Sequence, residues 1–308
     1  MAVTTVAGVG DVSLARRGHD VKGRLFHLLV VLSVVLAFVI LAALVWDMIA
    51  GGESVLTERL WSFLTSGLNS DPELAGVWQG VKGTLQLSII VVAVAFPLGI
   101  GSAIYIEEYA SDSRLTRFIS VNIRNLAGVP SIVFGLLGLA IFVQALGGVT
   151  GGRTVIAGGL TLSALVLPIV IITSQEALRA VPSGIRVGAL ALGATRWETT
   201  RHHVLPAALP GILTGNVLAL ARAAGEAAPL LLVGAVSGVF FVGAQGTLEQ
   251  ILHGRFTAMP MVIFSWARLP AGQGWNVLAA AASLVLLVLI FVMNGFAIWL
   301  RNRYEQRW

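Results

Sequence analysis

The 308-residue chain contains no cysteine and few charged residues. Without cysteine it can form neither a disulfide nor a thiolate metal site, and it has no cysteine nucleophile. Charged residues make up only 11% of the sequence, whereas soluble domains carry about 25%. Hydrophobic residues make up 56%. This composition indicates an integral membrane protein.

Motifs for enzyme chemistry are also missing. The five histidines lack the HExxH spacing of zinc peptidases, and no G-x-S-x-G nucleophile elbow occurs. The stretch "GGVTGGRT", Gly147–Thr154, differs from a phosphate-binding P-loop by Arg153 in place of the lysine. A P-loop also follows a strand and faces cytosolic nucleotide, whereas this stretch joins two predicted membrane spans on the outer side. We interpret it as a glycine-rich turn and predict no ATP site, no metal site and no catalysis in this chain.

Stretches without Asp, Glu, Lys or Arg mark the candidate membrane spans. A helix needs about 20 apolar residues to cross the roughly 30 Å hydrocarbon core. The uncharged stretches are 25–46, 83–106, 125–152, 154–175, 202–221, 227–248 and 269–300.

Charge placement favours six spans over seven. With six, most of the 20 Lys and Arg residues lie on one side together with both termini, and the positive-inside rule makes that side cytoplasmic. A seventh span would move the C-terminal arginine cluster outside. The glycine-rich piece Gly234–Gly246 is also more typical of irregular structure than of a helix interior. Because topology and anionic lipid account for the basic residues, the net charge of +5 does not indicate nucleic-acid binding.

The chain is therefore predicted to be an all-α integral membrane protein with six transmembrane helices. Residues 1–24 form a cytoplasmic tail, 25–76 the first span and an outer loop, 77–300 the transmembrane core, and 301–308 a second cytoplasmic tail. The spans of the core are expected at about 83–106, 126–146, 155–175, 207–233 and 277–300.

The long cytoplasmic loop at 176–206 is predicted to contain two short helices. The first ends near Val181, because Pro182 disfavours helix at the residue before it. The second, around Gly188 to Leu192, is small and apolar, and Gly193 permits the left-handed turn that ends it. Such a helix suits a groove on a partner protein. The alternative is a solvated connector without a partner.

This loop resembles the EAA signature of ABC importer permeases, E-A-A-x3-G-x9-I-x-L-P. Gly193 and the pair Leu205-Pro206, which starts the fifth span, are in register. Val187-Gly188-Ala189 stands in place of E-A-A, and His203 replaces the isoleucine. Further stretches are similar to the phosphate-specific branch of that family: "GIGSAIYIEEYA", "AGVPSIVFGLLG", "LPIVIITSQEALRAVP", "ALARAAGEAAPLLL", "FTAMPMVIFSWA" and "MNGFAIWLRNR".

The resemblance implies the architecture of a type I ABC importer permease in a bacterial or archaeal cytoplasmic membrane. It implies a second permease (PstC-like), an ATPase dimer (PstB-like) that binds ATP and magnesium, and an extracytoplasmic phosphate-binding protein (PstS-like). Two alternatives stay open: a permease for another oxyanion, and an ATP-independent transporter or channel. The residues expected to couple the chain to the ATPase are Gly188, Ala189, Ala191, Gly193, Ala194 and Arg196.

Two charges interrupt the apolar stretch "LARAAGEAAPLLL", Leu220–Leu232: Arg222 and Glu226. Four residues apart, they are expected to share one face of a helix and to avoid lipid. They form either a structural ion pair or part of the substrate path. In the second interpretation Arg222 grips phosphate oxygens through its guanidinium, and Glu226 orients the arginine. The family resemblance supports the path.

Overall fold

A computed structural model describes residues 21–236, 247–270 and 273–304, and these residues fold as helices joined by short connections. Contacts divide the chain into two units, residues 1–47 and 48–308. In the first unit the described residues belong to α1, Val21–Glu58. The other helices are α2 Leu60–Thr65, α3 Trp78–Ile104, α4 Arg114–Ala127, α5 Ser131–Gly138, α6 Gly147–Thr150, α7 Val155–Arg179, α8 Ser183–Ala191, α9 Arg196–Thr199, α10 Leu205–Gly225, α11 Ala228–Val233, α12 Leu248–Leu252, α13 Met259–Trp266 and α14 Trp275–Tyr304.

Five of these helical segments are long and apolar enough to cross a membrane, and a bent pair, Arg114–Ala127 with Ser131–Ala145, is a sixth candidate. Five or six spans agree with the six-span prediction and leave the seven-span alternative without support among the described residues. Within the described residues, the helix of the sixth uncharged stretch is α11, Ala228–Val233, whose six residues are too few to cross a membrane. The stretch predicted to be irregular, Gly234–Gly246, lies mostly outside the described residues. Its first residue, Gly234, ends α11 with a positive φ of 98°.

Helix α7 is the centre of the second unit. It packs against α3, α4, α5, α10 and α11, and Leu162, Val166 and Val170 are buried in its interfaces. Its start is capped by Thr154, whose Oγ1 accepts a hydrogen bond from the Ala157 amide at 3.4 Å, a usual N-cap arrangement. Because α7 packs against α10, which carries Arg222, and is followed by α8 after three residues, it links the two regions that hold the candidate functional residues.

Helices α7 and α10 approach closely through small residues. A Cβ added to Gly211 would lie 2.9 Å from the Ala177 Cβ, and one added to Gly215 would lie 2.4 Å from the Thr173 Cβ. Larger side chains at these positions would push the helices apart. The GxxxG pattern in "GILTG" is therefore a helix-packing face, as its spacing indicates.

The helix of the fifth span differs from the expectation at both ends. The α-helix α10 begins at Leu205, with Pro206 in its first turn, but α9 continues into it through a π-helical turn, Thr200–Val204, so the span candidate starts at Arg196. Because the π turn comes directly before it, Pro206 can lie inside one continuous helical segment. At the other end α10 stops at Gly225, inside the predicted span 207–233.

Candidate functional site

Arg222 and Glu226 lie at a break between two helices. Arg222 belongs to the last turn of α10, whereas Glu226 follows the helix end with extended backbone angles, φ −83° and ψ 123°. The prediction that both side chains share one helix face is therefore wrong. Pro229 explains the break: in a continuous helix its ring would clash with the carbonyl of Gly225, four residues earlier. The proline instead occupies the first turn of α11, where its missing N–H costs nothing.

The two charges nevertheless form an ion pair. Arg222 Nε lies 3.5 Å from Glu226 Oε1, and the side chains are 46% and 20% exposed, respectively. The Arg222 guanidinium makes no hydrogen bond to any residue in the described parts of the chain. Its two terminal nitrogens are thus available to a ligand. A guanidinium held at one edge by a carboxylate can present its other edge to an oxyanion.

Two apolar regions of the described structure lie next to Arg222 in the chain. Beneath it, Ala223 and Ala224 pack against Leu87, Val91 and Leu162 without leaving space for a water molecule. Beside it, Gly225 and Ala227 border an apolar groove of about 600 Å³ between α13 and α14. A groove lined by apolar side chains offers an anion no hydrogen bonds.

The residues expected to couple to the ATPase form a compact protrusion, α8 and the turn after it. Gly193 has φ +90° and no atom within 4 Å of an added Cβ, as the predicted left-handed turn requires. The Ala194 amide donates to the Ala189 carbonyl at 3.2 Å, which closes the turn. Ala189 is buried and Ala194 half-buried, while the others in the set are exposed: Gly188, Ala191, Gly193 and Arg196.

Apolar side chains cover the outside of this protrusion. Leu192 is 91% exposed, Val187 65% and Leu190 47%. Trp197, just after the turn, is also exposed. Large exposed apolar groups that cluster at one place mark an interaction surface. This exposure favours an interaction surface over a solvated connector.

Two arginine–glutamate pairs that the sequence analysis missed hold this protrusion to the rest of the unit. Arg179, at the end of α7, donates to Glu107 through Nε at 2.8 Å and a terminal nitrogen at 2.6 Å. Arg186 of α8 donates to Glu108 at 2.7 Å. Both glutamates lie in the π-helical turn Tyr105–Tyr109 that follows α3. The "IEEY" letters show two adjacent acids, but no local pattern pairs them with arginines more than seventy residues away.

The P-loop-like stretch Gly147–Thr154 consists of the one-turn helix α6, Gly147–Thr150, and a glycine turn after it. It follows the π-helical turn Leu139–Ala145 rather than a strand, and Gly151 and Gly152 both have positive φ. This conformation agrees with the glycine-rich turn expected there.

Comparison with known proteins places most of the chain in one family. Residues 95–306 match the family described as "Binding-protein-dependent transport system inner membrane component". The phosphate transport system permease protein PstA 1 of Mycobacterium tuberculosis H37Rv is 32% identical over 271 residues, covering 87% of this chain and 84% of the relative. The probable ABC transporter permease protein YqgI of Bacillus subtilis is also 32% identical, covering 85% of this chain and 88% of the relative.

Solved structures agree on the fold. A chain of a bacterial alginate ABC transporter, solved with an alginate pentasaccharide-bound periplasmic protein, superposes with a TM-score of 0.65, at 15% identity, covering 92% of this chain and 95% of that chain. A chain of the inward-facing MetNI methionine ABC transporter superposes with a TM-score of 0.55, at 17% identity, covering 81% of this chain and 99% of that chain.

Proposed function

Because the chain belongs to the family of binding-protein-dependent transport system inner membrane components, we propose that it carries inorganic phosphate across the cytoplasmic membrane. The family and fold make it a multi-pass, non-catalytic permease subunit of an ABC importer, which works with an ATPase and a substrate-binding protein. An ATP-independent transporter or channel is thereby set aside. The proposal concerns the substrate, the residues that line its path and the identity of the partner subunits.

The observation that carries the proposal is the Arg222–Glu226 pair at the end of α10. Of the two interpretations, we favour the path over a structural lock, because Arg222 is nearly half exposed and its terminal nitrogens have no partner among the described residues. A lock is expected to bury and saturate its arginine. The names of relatives such as PstA 1 support phosphate over another oxyanion.

The partners follow from the same proposal. A PstC-like permease would cover the exposed side of α10, so that the anion path runs between the two permeases. A PstB-like ATPase dimer, which binds ATP and magnesium, would dock on α8 through Leu192 and its neighbours. A PstS-like protein would deliver phosphate from outside, and both termini of this chain would lie in the cytoplasm.

The test is phosphate uptake by the assembled complex in vesicles supplied with ATP. Replacing Arg222 with Lys or Gln removes a charge-assisted forked contact of about 1.5–3 kcal/mol, so uptake should fall roughly ten- to a hundredfold while the subunits still copurify. Arg268→Gln serves as the control, because Arg268 is also exposed, and within the described residues its guanidinium has the ring of Phe264 as its one recorded partner. Uptake in that variant should stay near normal.

A charge exchange separates the path from a lock. In Arg222→Glu with Glu226→Arg the ion pair can re-form, but the cation moves beyond the helix end. An anion path should stay inactive, whereas a structural lock should regain activity. Recovery of near-normal uptake in the exchanged protein would contradict the assignment of Arg222 to the phosphate path.

A further inference from the structure

Helix α4, Arg114–Ala127, has three distinct faces. One face is turned to the protein: Thr116, Ser120, Ile123 and Ala127 are half-buried, and Ile123 packs against the cluster that contains Leu178. Their spacing of four, three and four residues makes a single stripe on a helix. The rest of the helix is exposed, so the stripe is the attachment of α4 to its own chain.

The two exposed faces of α4 differ sharply in chemistry. One carries large apolar side chains: Leu115 is 67% exposed, Phe118 66%, Ile119 42% and Leu126 47%. At 100° per residue, Arg117 and Arg124 project together on the opposite side, with Arg114 beside them. The only pairing of these arginines within the described residues is between Arg117 and Asp112 at 3.3 Å, and both of those side chains are mostly exposed.

The course of the chain lays α4 along a membrane surface rather than across it. The helix direction changes by 103° between Arg114–Ala127 and Ser131–Ala145. If the second segment enters the membrane, the first therefore lies close to the membrane plane. Helix α4 starts just after the turn Tyr105–Tyr109, which is ion-paired to Arg179 and Arg186. It therefore lies at the same end of the unit as the α8 protrusion, the end that faces the ATPase.

We propose that α4 is an interfacial helix that binds anionic phospholipid at the cytoplasmic face of the membrane. Its apolar face enters the acyl-chain boundary, and Arg114, Arg117 and Arg124 contact the headgroup phosphates. This division of faces is the pattern of helices that lie in the interface plane. The three basic groups favour an anionic lipid over an apolar protein surface as the occupant, since each basic residue near an anionic leaflet adds roughly fivefold to binding.

Lipid binding at α4 reaches the transport machinery through α7. The half-buried stripe of α4 packs on α7, and α7 leads through Val181 and Pro182 into α8. A lipid that restrains the position of α4 therefore also restrains the end of α7, from which α8 continues. We expect the transport rate of the complex to depend on the fraction of anionic lipid, whichever anion the complex carries.

The test uses the complete complex in vesicles of phosphatidylcholine containing a small fraction of phosphatidylglycerol. Phe118→Cys supplies the only cysteine of this chain, and with the partner cysteines replaced it is labelled with an environment-sensitive fluorophore. Spin-labelled phosphatidylglycerol and spin-labelled phosphatidylcholine are then compared as quenchers. We expect the anionic lipid to quench several-fold more strongly at equal mole fraction.

Two matched variants show whether the arginines cause this selectivity. Arg117→Gln with Arg124→Gln should bring quenching by the two lipids to equality and remove the dependence of transport on phosphatidylglycerol. Arg301→Gln with Arg303→Gln removes the same charge from the end of α14 and should change neither. Equal quenching by both lipids in the unmodified helix would overturn the proposed selectivity. Protection of position 118 from both lipids would mean that a protein subunit covers α4, and this too would overturn the proposal.

Discussion

At the scale of single residues, Arg186 connects three segments that are distant in sequence. One terminal nitrogen donates to Glu108 at 2.7 Å and to the Leu178 carbonyl at 2.8 Å, and the other donates to the Val181 carbonyl at 2.8 Å. The Leu178 carbonyl belongs to the last turn of α7, where helix carbonyls lack partners in the helix itself, and the Val181 carbonyl lies two residues beyond the helix end. Arg186 thus fastens α8 to both α7 and the turn after α3.

We expect Arg186→Gln to destabilise the protein more than Arg117→Gln. The Arg186 and Glu108 side chains are only 25% and 9% exposed, so the variant leaves a mostly buried carboxylate without its partner, at a cost of about 2–3 kcal/mol. The Arg117–Asp112 pair is 73% and 86% exposed, and an exposed pair contributes about 0–1 kcal/mol. Thermal unfolding of the purified protein in detergent measures both. Equal unfolding temperatures for the two variants would show that the contacts of Arg186 contribute no more to stability than those of Arg117.

Local backbone features of single residues were accessible from the sequence, and long-range pairings were not. Gly193 was predicted to take a positive φ, because a glycine after a short helix commonly does so, and this is confirmed. Arg222 and Glu226 do meet, although the helix ends between them. Pro229 carried the signal for that break. Glu107 and Arg179 meet because α3 and α7 pack side by side, which no spacing within either helix encodes.

At the scale of elements, α8 and its turn carry large apolar side chains that are exposed. Leu192 is 91% exposed, and the turn that carries it is closed by the hydrogen bond between Ala194 and Ala189. A side chain that is this exposed is free to enter a groove on a partner. Substitution there changes the surface without disturbing the fold.

We expect Leu192→Asp to abolish copurification with the ATPase while the permease stays in the membrane. A carboxylate forced into an apolar groove without a partner costs several kcal/mol, enough to release a docked subunit. Val149→Asp is the control, because Val149 is also highly exposed, at 77%, and lies in the turn predicted to face outside. Normal ATPase copurification with Leu192→Asp would show that this turn is not the docking element.

The long apolar helices were predicted, whereas two other features were missed: the amphipathic helix α4 and the continuous connection of α9 to α10. No helix was predicted between the spans 83–106 and 126–146, yet most of α4 lies there, and its Ser113 N-cap and spaced apolar residues are visible in the sequence. Its arginines were interpreted only as a sign of the cytoplasmic side. The continuous helix from Arg196 was missed for another reason. A π turn absorbs the proline there, and single-residue bulges leave no periodic signal.

At the scale of the whole molecule, composition and charge distribution predicted the fold class and the number of spans, whereas single residues and single helices were predicted less completely. Span number follows from the solvent, because hydrocarbon excludes charged groups along entire helices. That averaged property survives local errors such as a misplaced helix start. It does not say which residues of different spans touch, since every span offers lipid and protein similar apolar faces. The fold class was therefore predictable, and the packing around α7 was not.

The six-span topology with cytoplasmic termini stays a prediction, and the lack of cysteine makes it testable. Single cysteines at Ser54, Ser111 and Ser183 occupy exposed positions, and a cysteine at Gln306 probes the C-terminus, outside the described residues. In intact cells an impermeant thiol reagent should label position 54. Positions 111, 183 and 306 should label only after permeabilisation, because the positive-inside rule keeps their arginine-rich surroundings in the cytoplasm. Labelling of both position 54 and position 306 in intact cells would require an odd number of spans. Labelling of position 111 there would move α4 to the outer face and contradict its contact with the cytoplasmic leaflet.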